Sequence, residues 1–301
     1  MPKADIEPLI ALLRSAPVPQ SVAEMRANME AFAPIINANA PAVGRTLSSV
    51  AVAPGVGADI LVPPGTPPFP TLLYLHGGGW TIGSPRTHAR LAAQLCIAAG
   101  AVVVVVDYRL APEHPFPTGL EDCVAAARWA RRAIADYGGD PTRLAVGGDS
   151  AGGNLAMGVV NALDGEIAFR AALLIYGGFD LALDLGTYGT DPATEDPILT
   201  RRMMDLMIGA YLSAGADPND PRVSPIKADV RQFPPACLIV GAADVLYPQS
   251  LALHEKLRGA GRSSVLHTYA DMPHAFLQLP GLPDAEQAIG AAGAFLRAHL
   301  R

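Results

Sequence analysis

Two spacings of apolar residues take turns along the 301-residue chain. In SVAEMRANMEAFAPIINANA, residues 21–40, Val22, Met25, Met29 and Phe32 recur at intervals of three and four, which predicts a helix with one buried face. The pattern then shifts to short β-like runs at Leu47–Ala53, Asp59–Val62 and Thr71–Leu75. The run Ala101–Val106 holds five consecutive valines, as suits a strand buried on both faces. Helical patterns over Arg90–Ala99, Leu120–Tyr137, Ala151–Leu163, Arg201–Ser213, Pro248–Gly259 and Asp284–Leu300 are interleaved with strand candidates at Leu144–Gly147, Ala171–Tyr176, Ala236–Val240 and Val265–Tyr269. Such alternation predicts an α/β fold, a mostly parallel central sheet with helices on both faces. The block from Leu181 to Val230 interrupts it with no strand pattern, so it is expected to be a helical insertion above the sheet edge. The expected division is therefore an N-terminal cap segment (1–45), the first part of the core (46–180), a cap insertion (181–230) and the second part of the core (231–301).

Composition narrows the class. Half the residues are hydrophobic and only 17% are charged, which excludes a disordered chain and implies a sizeable core. The net charge is −6 and the 22 basic residues are scattered, with no cluster longer than Arg131–Arg132 or Arg201–Arg202. No surface is built to neutralise phosphates, so nucleic acid and acidic membranes are not expected as partners. Cys96, Cys123 and Cys237 lie far apart in apolar surroundings without a CxxC pair, so neither a disulfide framework nor a thiolate metal site is expected. The N-terminus, MPKADIEPLIALLRSAPVPQ, has acidic residues and prolines where a secretory signal has an unbroken apolar stretch, and no run approaches 18 apolar residues. These features predict a soluble, cytoplasmic protein without an integral membrane segment.

The chemistry concentrates in a few loops. Gly148-Asp149-Ser150-Ala151-Gly152 follows a short apolar strand and precedes an alanine-rich helix, the setting in which G-x-S-x-G presents a serine nucleophile on a sharp turn. The string alone also fits an ordinary turn with a capping serine. Upstream, His76-Gly77-Gly78-Gly79-Trp80 follows a strand, and its glycines leave main-chain N–H groups free to meet an anion. An oxyanion hole is the sharper reading. A phosphate nest competes with it, but the spacing is neither a P-loop nor G-x-G-x-x-G.

A serine hydroxyl needs a base. Of the seven histidines, His274 stands in a turn-rich loop after the last strand candidate, at the carboxyl edge of the sheet. The base needs a carboxylate to fix its tautomer, and Asp244, after the strand Leu238–Val240, supplies one; Asp271, three residues before the histidine, is its rival. The resulting order is serine, acid, histidine.

With these motifs, Asp107-Tyr-Arg-Leu-Ala-Pro-Glu-His-Pro-Phe-Pro117 and Arg222-Val-Ser-Pro225, the chain resembles the hormone-sensitive lipase family, the bacterial type IV carboxylesterases of the α/β-hydrolase superfamily, from about residue 20 onward. The resemblance implies a serine carboxylesterase with Ser150, His274 and Asp244 as its triad, acting on short- to medium-chain esters without cofactor or metal. It assigns the oxyanion donors to Gly78, Gly79 and Ala151, and supporting roles to His76 and Gly77. Arg109 and Glu113 would have structural charge roles. It also implies a cap. There Met203, Met207, Ile208 and Tyr211 either line an acyl pocket or form a plain packing stripe, and Trp80 and Asp149 are further pocket candidates. Related proteins are often dimers, so a homodimer stays open. An amide or formamide substrate with the same triad, and a non-catalytic receptor, are the alternatives. Three positions depart from the family pattern: Pro248 replaces a second acidic residue after Asp244, Gly177 replaces a proline after Tyr176, and Ala275 replaces a glycine after His274.

Overall fold

The structure, a computed structural model, describes residues 10–11, 14–15, 17–182 and 196–301. The remainder of the expected cap, residues 1–9, 12–13, 16 and 183–195, lies outside the described residues. Eight strands form one sheet: β1 (Arg45–Ala53), β2 (Val56–Val62), β3 (Phe69–Leu75), β4 (Val102–Asp107), β5 (Gly139–Asp149), β6 (Ala171–Ile175), β7 (Ala236–Gly241) and β8 (Ser264–Tyr269). Their spatial order is β1-β2-β4-β3-β5-β6-β7-β8. The β1–β2 and β2–β4 pairs are antiparallel and the rest are parallel, as the alternating pattern predicts.

Among the described residues these helices accompany them: α1 (Val22–Ile36), α2 (Ala89–Ala99), α3 (Thr118–Ala133), α4 (Ala151–Ala162), α5 (Arg201–Tyr211), α6 (Tyr247–Gly259) and α7 (Pro283–His299). The period-two alternation of the strands divides the core between the sheet's faces. Leu73, Leu75, Val104, Val146 and Leu174 pack against α3, α4 and α6. Leu72, Tyr74, Val103, Val105 and Ile175 pack against α2 and α7. No described helix is long and apolar enough to cross a membrane.

The differences from the sequence pattern have local causes. The expected helix Leu120–Tyr137 ends as α at Ala133 and tightens into a 3-10 turn, Ile134–Tyr137, which Gly138 closes in the left-handed region at φ 89°. Strand β5 is longer than Leu144–Gly147 because neighbours on both sides continue its ladder through Gly148 and Asp149, although the glycines read as a turn. In α1 the buried stripe runs Met25–Ala33, and Phe32, expected to face inward, is 52% exposed.

Strand order places the site. From β3 the chain moves through α2 to β4 on one side, and then through α3 to β5 on the other. The crevice at such a switch point opens at the carboxyl ends of the two flanking strands. These ends are level, since Leu75 pairs with both Val106 and Gly148. The glycine loop leaves β3 there and Ser150 leaves β5.

The turn from β5 into α4 requires two glycines. A Cβ on Gly148 or on Gly152 would collide with the Leu75 carbonyl oxygen, a main-chain group fixed in the sheet. Gly152→Ala is therefore expected to destabilise the fold by about 2–3 kcal/mol, the upper range for overpacking. Urea unfolding checks this, and a wild-type midpoint would disprove the close approach.

Candidate active site

The nucleophile candidate sits where the backbone is forced. Ser150 has φ 54° and ψ −120° between β5 and α4, and its N–H donates to the Ile175 carbonyl at 2.8 Å. This pins the turn to the neighbouring strand and projects the side chain above the sheet. Its Oγ lies 2.8 Å from His274 Nε2, and His274 Nδ1 lies 2.9 Å from Asp244 Oδ2. The three residues thus converge from the ends of β5, β7 and β8. Asp244 also receives the Leu246 N–H on Oδ1 at 2.7 Å, which fixes the carboxylate plane. The Asp244 carboxylate, not that of Asp271, meets the imidazole.

His274 is buried, which by itself lowers the imidazole's proton affinity. The charge and hydrogen bond of Asp244, with Asp196 and Asp149 further off, outweigh this and hold the group above its ordinary range.

The glycine loop is supported from below. Asp149 is fully buried: Oδ1 accepts from Tyr74 Oη at 2.7 Å and from the Gly77 N–H at 3.0 Å, and Oδ2 accepts from Gln278 Nε2 at 3.0 Å. Burial raises its carboxyl, but the surrounding groups, His88, Tyr74 and Gln278, outweigh it and bring the value to about 2. A Cβ on Gly77 would strike this carboxylate, so glycine is required there. Asp149 is thus corrected from pocket candidate to internal strut, because no face of it reaches solvent. His76 is buried beside it, stacked on Tyr108 with Nδ1 2.8 Å from the Gly77 carbonyl. Burial and the neighbouring His88 lower it to about 3, so it stays neutral.

The Asp107–Pro117 segment braces the same loop: Tyr108 Oη donates to the His76 carbonyl at 2.8 Å and the Ala111 N–H to the Trp80 carbonyl at 2.9 Å. Two of its charged residues are paired elsewhere, Arg109 with Asp122 at 2.6 Å and Glu113 with Arg26 at 2.7 Å. Among the described residues, the main-chain N–H groups of Gly78, Gly79 and Ala151 have no intrachain hydrogen-bond partner. That of Ala151 is an unpaired first-turn donor of α4.

Helix α5 lies against this loop. Its buried residues are Met204, Met207 and Tyr211, with Met203 and Ile208 half-buried at the flanks. A Cβ on Gly79 would run into the Met207 side chain. Trp80 and Tyr211, two pocket candidates, are both buried and stacked at 4.4 Å, the arrangement of a packing pair. Around Met207 an apolar cluster joins α1, the glycine loop, α5 and the Asp244 loop through Met25, Ile82, Leu199, Met204 and Leu246.

Other site residues escape sequence reasoning. Gln278 Nε2 reaches both His88 Nε2, at 2.7 Å, and Asp149, so it bridges the histidine loop to the support of the glycine loop. It stands at the end of the 3-10 turn Phe276–Gln278, four residues beyond His274, with no local pattern to mark it. Asp196 Oδ2 accepts the His274 main-chain N–H at 2.8 Å from 78 residues away, with no local pattern to announce it. Gln249 supports the neighbouring loop, its Oε1 accepting the N–H groups of Phe179 at 2.6 Å and Asp180 at 2.8 Å.

Comparison with known proteins agrees with this architecture. A family profile described as "alpha/beta hydrolase fold" matches residues 72–278. The chain is 39% identical over 233 residues to an acetyl-hydrolase of Streptomyces hygroscopicus, covering 75% of each. It is 36% identical over 248 residues to carboxylesterase NlhH of Mycobacterium tuberculosis, covering 77% of this chain and 74% of that one. A hyperthermophilic esterase from the archaeon Pyrobaculum calidifontis superposes with a TM-score of 0.88 at 31% identity, over 96% of this chain and 97% of that chain. The chain belongs to the hormone-sensitive lipase-like family of the α/β-hydrolase superfamily.

Proposed function

We propose that the protein is a serine carboxylesterase that hydrolyses short- to medium-chain acyl esters through an acyl-serine intermediate. The observation that carries this reading is the continuous chain from Ser150 Oγ to His274 Nε2, at 2.8 Å, and from His274 Nδ1 to Asp244, at 2.9 Å. Ser150 Oγ attacks the ester carbonyl carbon while its proton passes to His274 Nε2. Asp244 holds the Nδ1–H tautomer and compensates the imidazolium. The N–H groups of Gly78, Gly79 and Ala151 receive the oxyanion, and as main-chain donors fixed before reaction they need no reorganisation. Collapse breaks the bond to the alkoxy oxygen, which takes the proton from His274. Water, deprotonated by the same imidazole, then releases the carboxylic acid.

In this reading residues 1–45 and 181–230 form a helical cap over the core segments 46–180 and 231–301. Met207, which lies against Gly79, sets the near wall of the acyl pocket, flanked by Met203 and Ile208. Thioethers adapt to chains of different length. The substrate is a small ester, the reacting groups all come from one chain, and a homodimer is not required by the chemistry. The cytoplasm suits Cys96, Cys123 and Cys237, which are free and buried thiols.

Ser150→Ala is expected to lower kcat on p-nitrophenyl acyl esters by about four to six powers of ten in a folded protein, and to abolish labelling by a fluorophosphonate probe. Undiminished hydrolysis would exclude the mechanism. A pH prediction follows from His274. The base acts unprotonated and its proton affinity is raised, so kcat/KM is full above the histidine pKa and falls as pH drops through it. The acid limb is expected above about 6.5, the ordinary imidazole value. A flat profile from pH 5 to 8 would remove His274 as base.

A further inference from the structure

We propose that Asp196, carried by the segment before α5, is a positioning residue that latches this helical insertion to the catalytic histidine and gives the imidazole a second buried carboxylate. The proposal rests on the reading of His274 as the base. Asp196 is 4% exposed and both its oxygens are engaged. Oδ2 accepts the main-chain N–H of His274 at 2.8 Å, and Oδ1 accepts those of Ile198 at 2.8 Å and Leu199 at 3.0 Å. One side chain thus ties the turn leading into α5 to the histidine loop.

Two further observations make this more than a loop staple. Leu199, held by Asp196, is buried in the same apolar cluster as Leu246, whose N–H holds Asp244. The insertion and the acid loop are therefore packed together, and Asp196 connects that unit to His274. The ionisable groups around the imidazole are Asp244 from the β7 end, bonded to it, Tyr176 after β6, with its ring centroid 5.0 Å away, and, acting through their charge, Asp196 from the insertion and Asp149 from the β5 end. Burial, followed by the charge of Asp244, makes Asp196 reluctant to ionise, whereas His274 and the N–H groups favour its charged form. A carboxylate kept at such a position gains most when the imidazole becomes positive, which is when Ser150 gives up its proton.

Asp196→Asn keeps the shape, removes the charge, and leaves one oxygen to serve two sets of N–H donors. For p-nitrophenyl acetate we expect kcat to fall about tenfold, the loss of one charge-assisted hydrogen bond, with KM within about twofold. The acid limb of kcat/KM should move to lower pH by about 0.5–1 unit, since one negative charge near the imidazole is gone. A role in folding alone would lower the melting temperature without moving the limb. Wild-type kcat with an unmoved limb overturns the proposal, as does a raised KM at constant kcat. Should the Asn variant not fold, Asp196→Glu keeps the charge on a longer arm: the limb should stay while kcat falls, and a shifted limb overturns the proposal. His274→Gln separates this from the reading beneath it. If that variant hydrolyses ester normally, the base assignment fails; if it is inactive while Asp196→Asn behaves as wild type, only the Asp196 proposal fails.

Discussion

The approach of α4 to the end of β3 is the constraint on which the rest of the site depends. The Leu75 carbonyl fills the space where a Cβ on Gly148 or Gly152 would be, so the chain enters α4 against the sheet with no spacer. Ser150 then has no choice of conformation: it must turn through φ 54°. That turn fixes the direction of its Oγ and leaves the first N–H of α4 unpaired beside it. Because β3 also emits the glycine loop, one main-chain contact brings the proposed nucleophile and oxyanion donors to the same level.

Strain at the site is not confined to Ser150. Trp80, Tyr176 and Ala275 also have positive φ, at 60°, 36° and 55°, and they belong to the glycine loop, the turn after β6 and the histidine loop. Non-glycine residues in this region cost about 1–3 kcal/mol each and persist only where the surroundings over-determine them. Here the surroundings are specific: Trp80 is clamped by Tyr211, Tyr176 is buried against the rings of His274 and Phe276, and Ala275 precedes a turn whose Gln278 is bonded to Asp149. The sheet core, with β3, β4, β6 and β7 almost wholly buried, supplies the stability that these turns draw on.

How much was legible in the sequence follows from how local each signal is. The five valines of β4, the alternating strands and the G-x-S-x-G turn carry their cause within a few residues, so the sheet, most helices and Ser150 can be read directly. His274 and Asp244 are legible because each stands just beyond a strand. Polar contacts made across the fold are different. Asp196 is an ordinary acidic residue in an irregular segment until folding brings it to His274, and His88 belongs to no motif until its place at the start of α2 brings it 3.4 Å from Asp149. The roles of Asp149 and Tyr211 were hidden for a related reason. Adjacency to a motif says that a residue is near the chemistry, not which side of the loop it faces.

The placement of charge shows why side matters. Asp244, Asp196 and Asp149 are all buried near the site of the proposed reaction, which creates both a cation and an anion. Asp244 and Asp196 contact His274 itself, where negative charge favours the imidazolium. Asp149 lies under the glycine loop, where negative charge opposes an oxyanion, yet its charge is answered locally by His88 and by the donors Tyr74, Gly77 and Gln278. The Gly77 N–H that it holds is already paired, unlike those of the proposed donors Gly78, Gly79 and Ala151. A carboxylate in this position therefore serves the loop's geometry at a bounded electrostatic cost. Its charge also reaches His274 and favours the protonated imidazole, so one buried carboxylate bears on both the loop and the histidine.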